Sequence, residues 1–383
     1  MTTKSNKNVK VVKKVEIEEI YKRKTPHQHI LDCPNMYVGS MQCTKKEMYV
    51  FDEKSKNIIF KNAASTEAMY KIVDEVLVNT RDQVVRTNGK CKNINIGINK
   101  TTGEISVKND GPSVPVVLHK DEGIYVPHMI FGRLMTSSNY DTKGKIVGGL
   151  NGLGIKIVNI FSKQFNVDIV DSERKKRFQQ EFKDNMYTVG EPKITNSKED
   201  SYTCISFIPD YERFGLKKGL DDDHYSLLLK RCYDIAVCVI DYGVKVTLNG
   251  QLIKIKSFED YIKMYFDEPP ALVYSKINSR WNIGVVYSSD GGKNVSFVNG
   301  LCTRDGGSHE DKVYGQVKKG ICDEIAKKHP NLKIGDDIIR NKIILFIDSA
   351  IEDPSFNSQV KDKQQMEYRS SIFIRWWKKC IFC

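Results

Sequence analysis

The stretch from Glu67 to Arg86, EAMYKIVDEVLVNTRDQVVR, constrains the fold most, because it fits one long helix with two different faces. Its apolar residues recur at about 100° per residue and form a broad stripe, as in helices that pack on a core. A carboxylate one turn before a carboxamide gives two oxygen groups about 6 Å apart, enough to hold a hard cation with one and orient water with the other. Taken alone, this edge also fits a solvated polar face. The edge opposite the stripe carries Glu75, Asn79, Asp82, Gln83 and Arg86.

A turn after the next predicted hairpin is a second polar feature. Strands are predicted over 94–98 and 104–107, and the second strand runs into Asn-Asp-Gly-Pro-Ser at 109–113. In such a loop Asn109 can present its carboxamide to a planar ring, because Gly111 has no Cβ to block the approach. An ordinary turn is the simpler interpretation of these residues on their own.

The third feature is the glycine-rich run GGLNGLGIK at 148–156, which leads into an apolar helical segment. Glycines ahead of a helix N-terminus expose backbone N–H groups to an anion, and Lys156 adds a positive charge. The run therefore predicts a phosphate-binding loop. It is not a Walker A loop, since no Gly-Lys-Ser/Thr ends it. It is not a dinucleotide fingerprint either, since its glycine order differs and no strand precedes it.

Charge and cysteine content narrow the class of protein. The 383 residues carry a formal net charge of +12 with a pI near 9.0, which favours an anionic partner such as nucleic acid or a nucleotide. The ten cysteines show no paired zinc spacing and are interpreted as reduced thiols. No apolar run is long enough to cross a bilayer, so an intracellular protein without a membrane partner is expected.

The length of the chain predicts two units, because single cores stop growing at about 250 to 300 residues. Residues 1–24 are basic and polar and are expected to form an arm. Short strands from residue 167 onwards and a helix over 222–238 predict a mixed sheet with helices on one face. A second unit follows, with a helix over 310–328 and a last strand over 341–347.

The loop after that last strand ends in NSQVK at 357–361. An extended segment would place Gln359 and Lys361 on the same side, because alternate residues of a strand share a face. By itself, Lys361 fits an ordinary solvated lysine.

These stretches occur in an order that resembles the N-terminal ATPase region of the type IIA DNA topoisomerases, in particular the topoisomerase II enzymes of eukaryotes and large viruses. The resemblance covers roughly residues 20 to 365. The segments that carry it are YKRKTPHQHILDCPNMYVGS, KIVDEVLVNTRDQ, YVPHMIFGRLMTSSNYD, GGLNGLGIKIVNIFS, YTCISFIPD, VSFVNGLCTRDGGSH and AIEDPSFNSQVK.

The resemblance implies an α+β protein with two domains. Residues 25–250 would form a GHKL-type ATP-binding α/β sandwich, and residues 251–363 a transducer domain of the ribosomal-S5-like kind. Residues 1–24 would be a basic N-terminal arm and residues 364–383 a divergent C-terminal tail.

It also implies a site for ATP and Mg²⁺. Glu75 would be the general base that activates water against the γ-phosphate, with Asn79 as magnesium ligand. Asn109 would read adenine, Ser137 to Asn139 would contact ribose and phosphate, and Lys361 would reach the γ-phosphate from the transducer as a second catalytic residue. The implied cofactor-binding residues are Asn79, Asn109, Ser137, Ser138, Asn139, Gly149, Leu150, Asn151, Gly152, Leu153, Gly154, Ile155, Lys156, Gln359, Val360 and Lys361.

Partners are implied as well. ATP would close a homodimeric gate through which DNA passes, because the nucleotide state sets the angle between the domains. Lys327 and Lys328 match a position where the family touches DNA, although a basic helix C-terminus explains them equally well. The resemblance places such a protein in the nucleus of a eukaryote, or in the host cell or virion factory of a virus.

Several positions depart from the family pattern. Gln83 replaces a usual Asn, Ser113 a usual Gly, Leu150 a common Arg and Val360 a common Thr. Ser113 adds a Cβ close to the nucleotide and Leu150 removes a possible phosphate contact, so reduced activity is an expectation. The alternative function is a catalytically weak GHKL module that dimerises on ATP without DNA cleavage.

The DNA-cleavage domain and its tyrosine are expected downstream, in cis or in trans, so this chain alone is predicted not to cleave DNA. Both an excised module and a natural short product fit the sequence after Lys363. CIFC at 380–383 has the outline of a prenylation box, but a chance match or a truncated reading frame is the favoured explanation. Among other GHKL proteins, chaperones are disfavoured by TRDGGSH and SQVK. Histidine kinases are disfavoured because no phosphoacceptor helix precedes the site.

Overall fold

The structure is a computed structural model that describes residues 17, 21–136, 144, 146–149, 152–332, 334–357 and 360–365. No helix in these ranges is long and apolar enough to span a membrane. The helices in chain order are α1 (Pro26–Asp32), α2 (Glu67–Arg86), α3 (Val126–Gly132), α4 (Gly154–Ile160), α5 (Asp222–Cys238), α6 (Phe258–Lys263), α7 (Ser308–Lys328) and α8 (Asp336–Arg340). The strands are β1 (Cys43–Phe51), β2 (Ile58–Thr66), β3 (Asn93–Ile98), β4 (Ile105–Asp110), β5 (Ser162–Asp171), β6 (Lys176–Lys183), β7 (Thr188–Val189), β8 (Lys193–Asn196), β9 (Tyr202–Pro209), β10 (Lys245–Leu248), β11 (Gln251–Leu252), β12 (Leu272–Asn278), β13 (Trp281–Tyr287), β14 (Val295–Val298), β15 (Leu301–Cys302) and β16 (Ile343–Ser349).

The larger sheet has nine strands in the order β11-β10-β3-β4-β9-β5-β6-β7, with β8 also paired to β6. All pairs are antiparallel except β10 with β3. Burial alternates along β4 and β9, so one face of the sheet is covered and the other meets solvent. The helices α2, α4 and α5 pack together on the covered face. The predicted mixed sheet with helices on one face is confirmed.

Helix α2 has the predicted bounds, but along its predicted polar edge only the last residue, Arg86, is exposed. Lys71, Asp74, Glu75, Arg81 and Asp82 on this helix are all buried, together with the apolar stripe. The interpretation as a solvated face is therefore wrong. Buried charges are retained where partners compensate for the lost hydration, so the surroundings of this edge decide what α2 does.

The second sheet has the order β12-β13-β16-β14-β15. Strands β14 and β16 are parallel and are connected through α7 and α8, which makes a βαβ unit. Nearly all residues of β13, β14 and β16 are buried, because both faces of this sheet are covered. One face joins the core of the first unit, and the other packs on α7 and α8.

The sequence patterns missed the hairpin of β1 and β2, which pairs from Cys43 with Thr66 to Phe51 with Ile58. This hairpin packs on α5, where Phe51 stacks on Tyr233 with 4.3 Å between ring centroids. Strand β11 pairs with β10, so the first sheet continues past residue 250 before the chain enters the second unit.

Arg231 of α5 links both units from a fully buried position. Its Nε donates to the Asp74 carboxylate of α2 at 2.5 Å, and its Nη2 donates to the Gly300 carbonyl of the β14–β15 turn at 2.5 Å. A guanidinium out of water needs such partners to offset its desolvation. Arg231 therefore fixes α2 and the second sheet relative to each other.

We expect Arg231→Met to lower the free energy of unfolding by about 3–5 kcal/mol, because it removes the hydrogen-bonded counterion of the buried Asp74. Lys263→Met is the matched control, since Lys263 forms an exposed pair with Glu259. Removing that pair should leave the free energy of unfolding close to that of the parent chain, because solvent screens the interaction. Urea unfolding followed by fluorescence measures both, and equal effects would contradict the buried linkage.

Candidate functional site

A cavity of ≈ 200 Å³ lies between α2, the glycine-rich run, α3 and the strands β4 and β9. It brings together predicted site residues that are far apart in sequence. The predicted residues that line it are Glu75, Asn79, Asn109, Gly149, Gly152, Gly154, Ile155, Lys156 and Lys361. Leu153 and Val360 are described but do not line it. Ser137, Ser138, Asn139, Leu150, Asn151 and Gln359 lie outside the described residues.

Glu75 lies in the cavity wall with a lysine on the same helix. Lys71, one turn earlier, places its Nζ 2.8 Å from Glu75 Oε1, and both side chains are nearly inaccessible to solvent. Burial alone would raise the pKa of Glu75, but Lys71 and Lys361 outweigh it and lower that pKa. The carboxylate is therefore held ionised in a site that water barely reaches.

Lys361 approaches the cavity from the second unit. Its Nζ donates to the Gly148 carbonyl at 2.7 Å, and only 4% of the residue is exposed. Its backbone has φ of 64°, in the left-handed region, so position 361 is not part of an extended segment. Both earlier interpretations of Lys361, the extended segment and the solvated lysine, are therefore wrong.

The glycine-rich run is held by Asp82, one turn beyond Asn79 on α2. The Asp82 carboxylate accepts the N–H groups of Gly148 at 2.9 Å and of Gly149 at 2.8 Å. Burial raises the pKa of Asp82, whereas Arg81 and the two N–H groups act against that rise. Asp82 thus fixes the start of the loop, a role that the sequence patterns did not assign.

The end of the glycine-rich run lies directly against Glu75 in the cavity wall. A Cβ at Gly154 would overlap the Glu75 carboxylate, so this position requires glycine. Lys156 is buried and donates from Nζ to the carbonyls of Thr136 at 2.6 Å and Gly152 at 2.7 Å. Burial lowers the pKa of Lys156 to about 8. Its ammonium joins two segments of the cavity wall.

Asn109 lies on the other side of the cavity, at the end of β4. It is 5% exposed, and its Nδ2 donates to the Asp110 carbonyl at 3.1 Å. Apolar side chains surround this part of the cavity, namely Val107, Val114, Ile130, Phe131, Ile155 and Ile205. A carboxamide among apolar walls suits a flat heterocycle that needs both a hydrogen bond and stacking surface.

Two departures from the family pattern are accommodated locally. The Ser113 hydroxyl donates to the Val170 carbonyl at 2.7 Å, and Ser113 does not line the cavity. Gln83 donates from Nε2 to the Pro112 carbonyl at 2.5 Å and lines the cavity beside Arg86. The Ser113 side chain therefore does not narrow the cavity, and the longer Gln83 ties α2 to the loop after β4.

Some functional groups were missed in the sequence. Lys71 is the main one, although its position four residues before Glu75 was a signal for an ion pair on one helix face. Lys327 and Lys328 lie in the last turn of α7, exposed and away from the cavity, and Lys327 pairs with Glu324.

Comparisons with known proteins agree with this geometry. The family model described as "Histidine kinase-, DNA gyrase B-, and HSP90-like ATPase" matches residues 64–210, and the one described as "DNA gyrase B" matches residues 248–379. DNA topoisomerase 2 of Acanthamoeba polyphaga mimivirus is 41% identical over 94% of this chain, which spans 29% of that relative's length.

Two solved structures extend the match to the whole architecture. The ATPase region of Saccharomyces cerevisiae topoisomerase II is 37% identical, with a TM-score of 0.86 over 92% of this chain and 91% of the other. The ATPase and transducer domains of Balamuthia mandrillaris DNA topoisomerase II are 39% identical, with a TM-score of 0.87 over 92% and 90%. The chain therefore belongs to the DNA topoisomerase II family, with the fold of its ATPase and transducer region.

Proposed function

We propose that this chain binds and hydrolyses ATP as the nucleotide-driven module of a DNA topoisomerase II. The observation that carries the proposal is Glu75, a buried carboxylate kept ionised by Lys71 and Lys361 beside a glycine-rich loop. A general base must be unprotonated and must lie close to its water. The GHKL domain would span residues 25–250 and the transducer residues 251–363.

In the proposed reaction, Glu75 takes a proton from a water molecule as the water oxygen bonds to the γ-phosphorus. The bond between that phosphorus and the β–γ bridging oxygen breaks, and the electron pair leaves with ADP. The ammonium of Lys361, which now donates to Gly148, would move to the γ-phosphate and stabilise the developing charge. Because Lys361 belongs to the second unit, its move from the Gly148 carbonyl to the γ-phosphate would couple the position of that unit to the nucleotide state.

Mg²⁺ fits the residues at this place. Asn79 lines the cavity one turn from Glu75, and a single carboxamide oxygen is enough where phosphates and water supply the other ligands. When bound, the ion would offset phosphate charge. Asn79 would hold it, Asn109 would bind the adenine, and the run from Gly149 to Lys156 would surround the phosphates.

The wider function follows from the family. ATP binding would join two copies of the chain, and the closed dimer would act as a gate for DNA strand passage, with Lys327 and Lys328 touching DNA. DNA cleavage would come from a further domain in cis or in trans. Such a protein would act in a nucleus, or in a host cell or virion factory if viral. The alternative, a weak module that only dimerises on ATP, predicts binding without turnover.

Glu75→Gln should lower ATP turnover at least ~100-fold, because the amide cannot accept the proton from water. Nucleotide binding should survive, since the glycine-rich loop is unchanged. A phosphate-release assay with Mg²⁺ over a dilution series of protein measures turnover, and titration calorimetry measures binding. Turnover that falls on dilution supports the dimer. If the parent chain binds ATP without turnover, the enzyme assignment fails and the binding module remains.

Lys71→Met should move the acid limb of the pH–rate profile to higher pH. Burial raises the pKa of Glu75 and Lys71 lowers it, so removal of the cation leaves burial dominant and protonates the base at a higher pH. Lys71→Arg keeps the charge and should leave the limb close to that of the parent. The profile of kcat/KM against pH measures both, and an unmoved limb in Lys71→Met would refute the pairing.

A further inference from the structure

Arg304 lies outside the cavity, in the loop between β15 and α7. Its Nε and Nη2 donate to Asp362 Oδ1 at 3.1 and 3.0 Å, and its Nη2 donates to Oδ2 at 3.0 Å. This two-pronged contact fixes direction as well as distance. Asp362 follows Lys361 directly in the chain. Arg304 therefore binds the residue next to the lysine that lines the cavity.

The backbone around this contact is braced as well. The Asp305 N–H donates to the Asp362 carbonyl at 3.0 Å, and the Gln364 N–H donates to the Gly306 carbonyl at 3.2 Å. Burial raises the pKa of Asp362 to about 6, although Arg304 opposes this rise. Without Arg304 the carboxylate would be a buried charge lacking its main counterion, so the loop would not keep its present form.

Arg304 also contacts the first unit. Its guanidinium lies over the Tyr70 ring, 4.5 Å from the centroid, and its Nη2 is 3.9 Å from Glu67 Oε1. The other Glu67 oxygen accepts the Ser40 N–H at 2.8 Å, which fixes that carboxylate in place. Tyr70 and Glu67 belong to α2, the helix that carries Glu75. One side chain therefore joins the first turn of α2 to the segment that bears Lys361.

We propose that Arg304 is a positioning residue for Lys361: by clamping Asp362 against the start of α2, it fixes the place from which the Lys361 ammonium reaches Glu75 and the terminal phosphate. The left-handed backbone at Lys361 needs such external support, because non-glycine residues adopt it at an energetic cost. The inference rests on the proposed function of Lys361 in ATP hydrolysis. It adds a residue that does not line the cavity.

The test compares Arg304→Met, Lys361→Met and the double variant in the full chain. Two quantities are measured: kcat for ATP hydrolysis, and the ratio of affinities for AMP-PNP and ADP, which differ in the terminal phosphate. Lys276→Met is the matched control, because Lys276 pairs with Asp241 between the two units at 2.8 Å, away from Lys361. Thermal unfolding checks that each variant is folded.

Arg304→Met should lower kcat about 10-fold or more, as expected for loss of a charged hydrogen-bond network that positions a catalytic group. It should also reduce the preference for AMP-PNP. The double variant should match Lys361→Met alone, because residues that act through one group are not additive. Lys276→Met should change neither quantity by more than about 2-fold.

Additive losses in the double variant, or a folded Arg304→Met with parental kcat and nucleotide preference, would overturn the proposal for Arg304 and leave the role of Lys361 intact. If Lys361→Met changes neither quantity while Glu75→Gln abolishes turnover, the assigned role of Lys361 fails and the role of Arg304 fails with it. If the parent chain shows no turnover, the proposal of ATP hydrolysis fails. The ratio of affinities for AMP-PNP and ADP in the variants then still tests the role of Arg304.

Discussion

The arrangement of charged groups around the cavity depends on one buried charge, the carboxylate of Glu75. Glu75 sits in a cavity wall where hydration cannot stabilise a carboxylate, and an isolated charge there would cost several kcal/mol. Lys71 compensates from the same helix at 2.8 Å, and Lys361 compensates from the other unit. Because part of this compensation comes from the second unit, the ionisation of Glu75 and the contact between the two units depend on each other. The proposed general base is therefore also part of the contact between the two units.

The same logic explains why α2 is polar on the side that faces inward. Several buried charges on it have partners in other elements: Asp74 has Arg231 of α5, and Asp82 has the backbone of the glycine-rich loop. Arg81 donates to the Ile146 carbonyl at 2.7 Å. Helix α2 therefore contacts its neighbours through charged groups as well as through apolar packing. These charged contacts hold the elements that line the cavity in place.

Periodicity predicted the long elements well. Helices α2 and α5 have the bounds expected from sequence, because each presents a strong and uninterrupted pattern. The β1–β2 hairpin was missed although each strand has nine residues, because the first half of β1 is exposed and shows no alternation of buried and exposed positions. In the cavity, Glu75, Asn79 and Asn109 were found from spacing and resemblance. Whether Lys361 is buried or solvated depends on contacts between distant segments, which a local pattern does not contain.

The larger hydrophobic core does not stop at the junction of the two units. Phe297 and Phe346 of the second sheet share it with Tyr261 of α6, whose hydroxyl donates to Asp234 of α5 at 2.6 Å. Dividing the gene near residue 250 to produce separate halves would expose this aromatic surface on the C-terminal half and the buried Asp234 on the N-terminal half. The two units should therefore be expressed and crystallised together, although each has its own sheet.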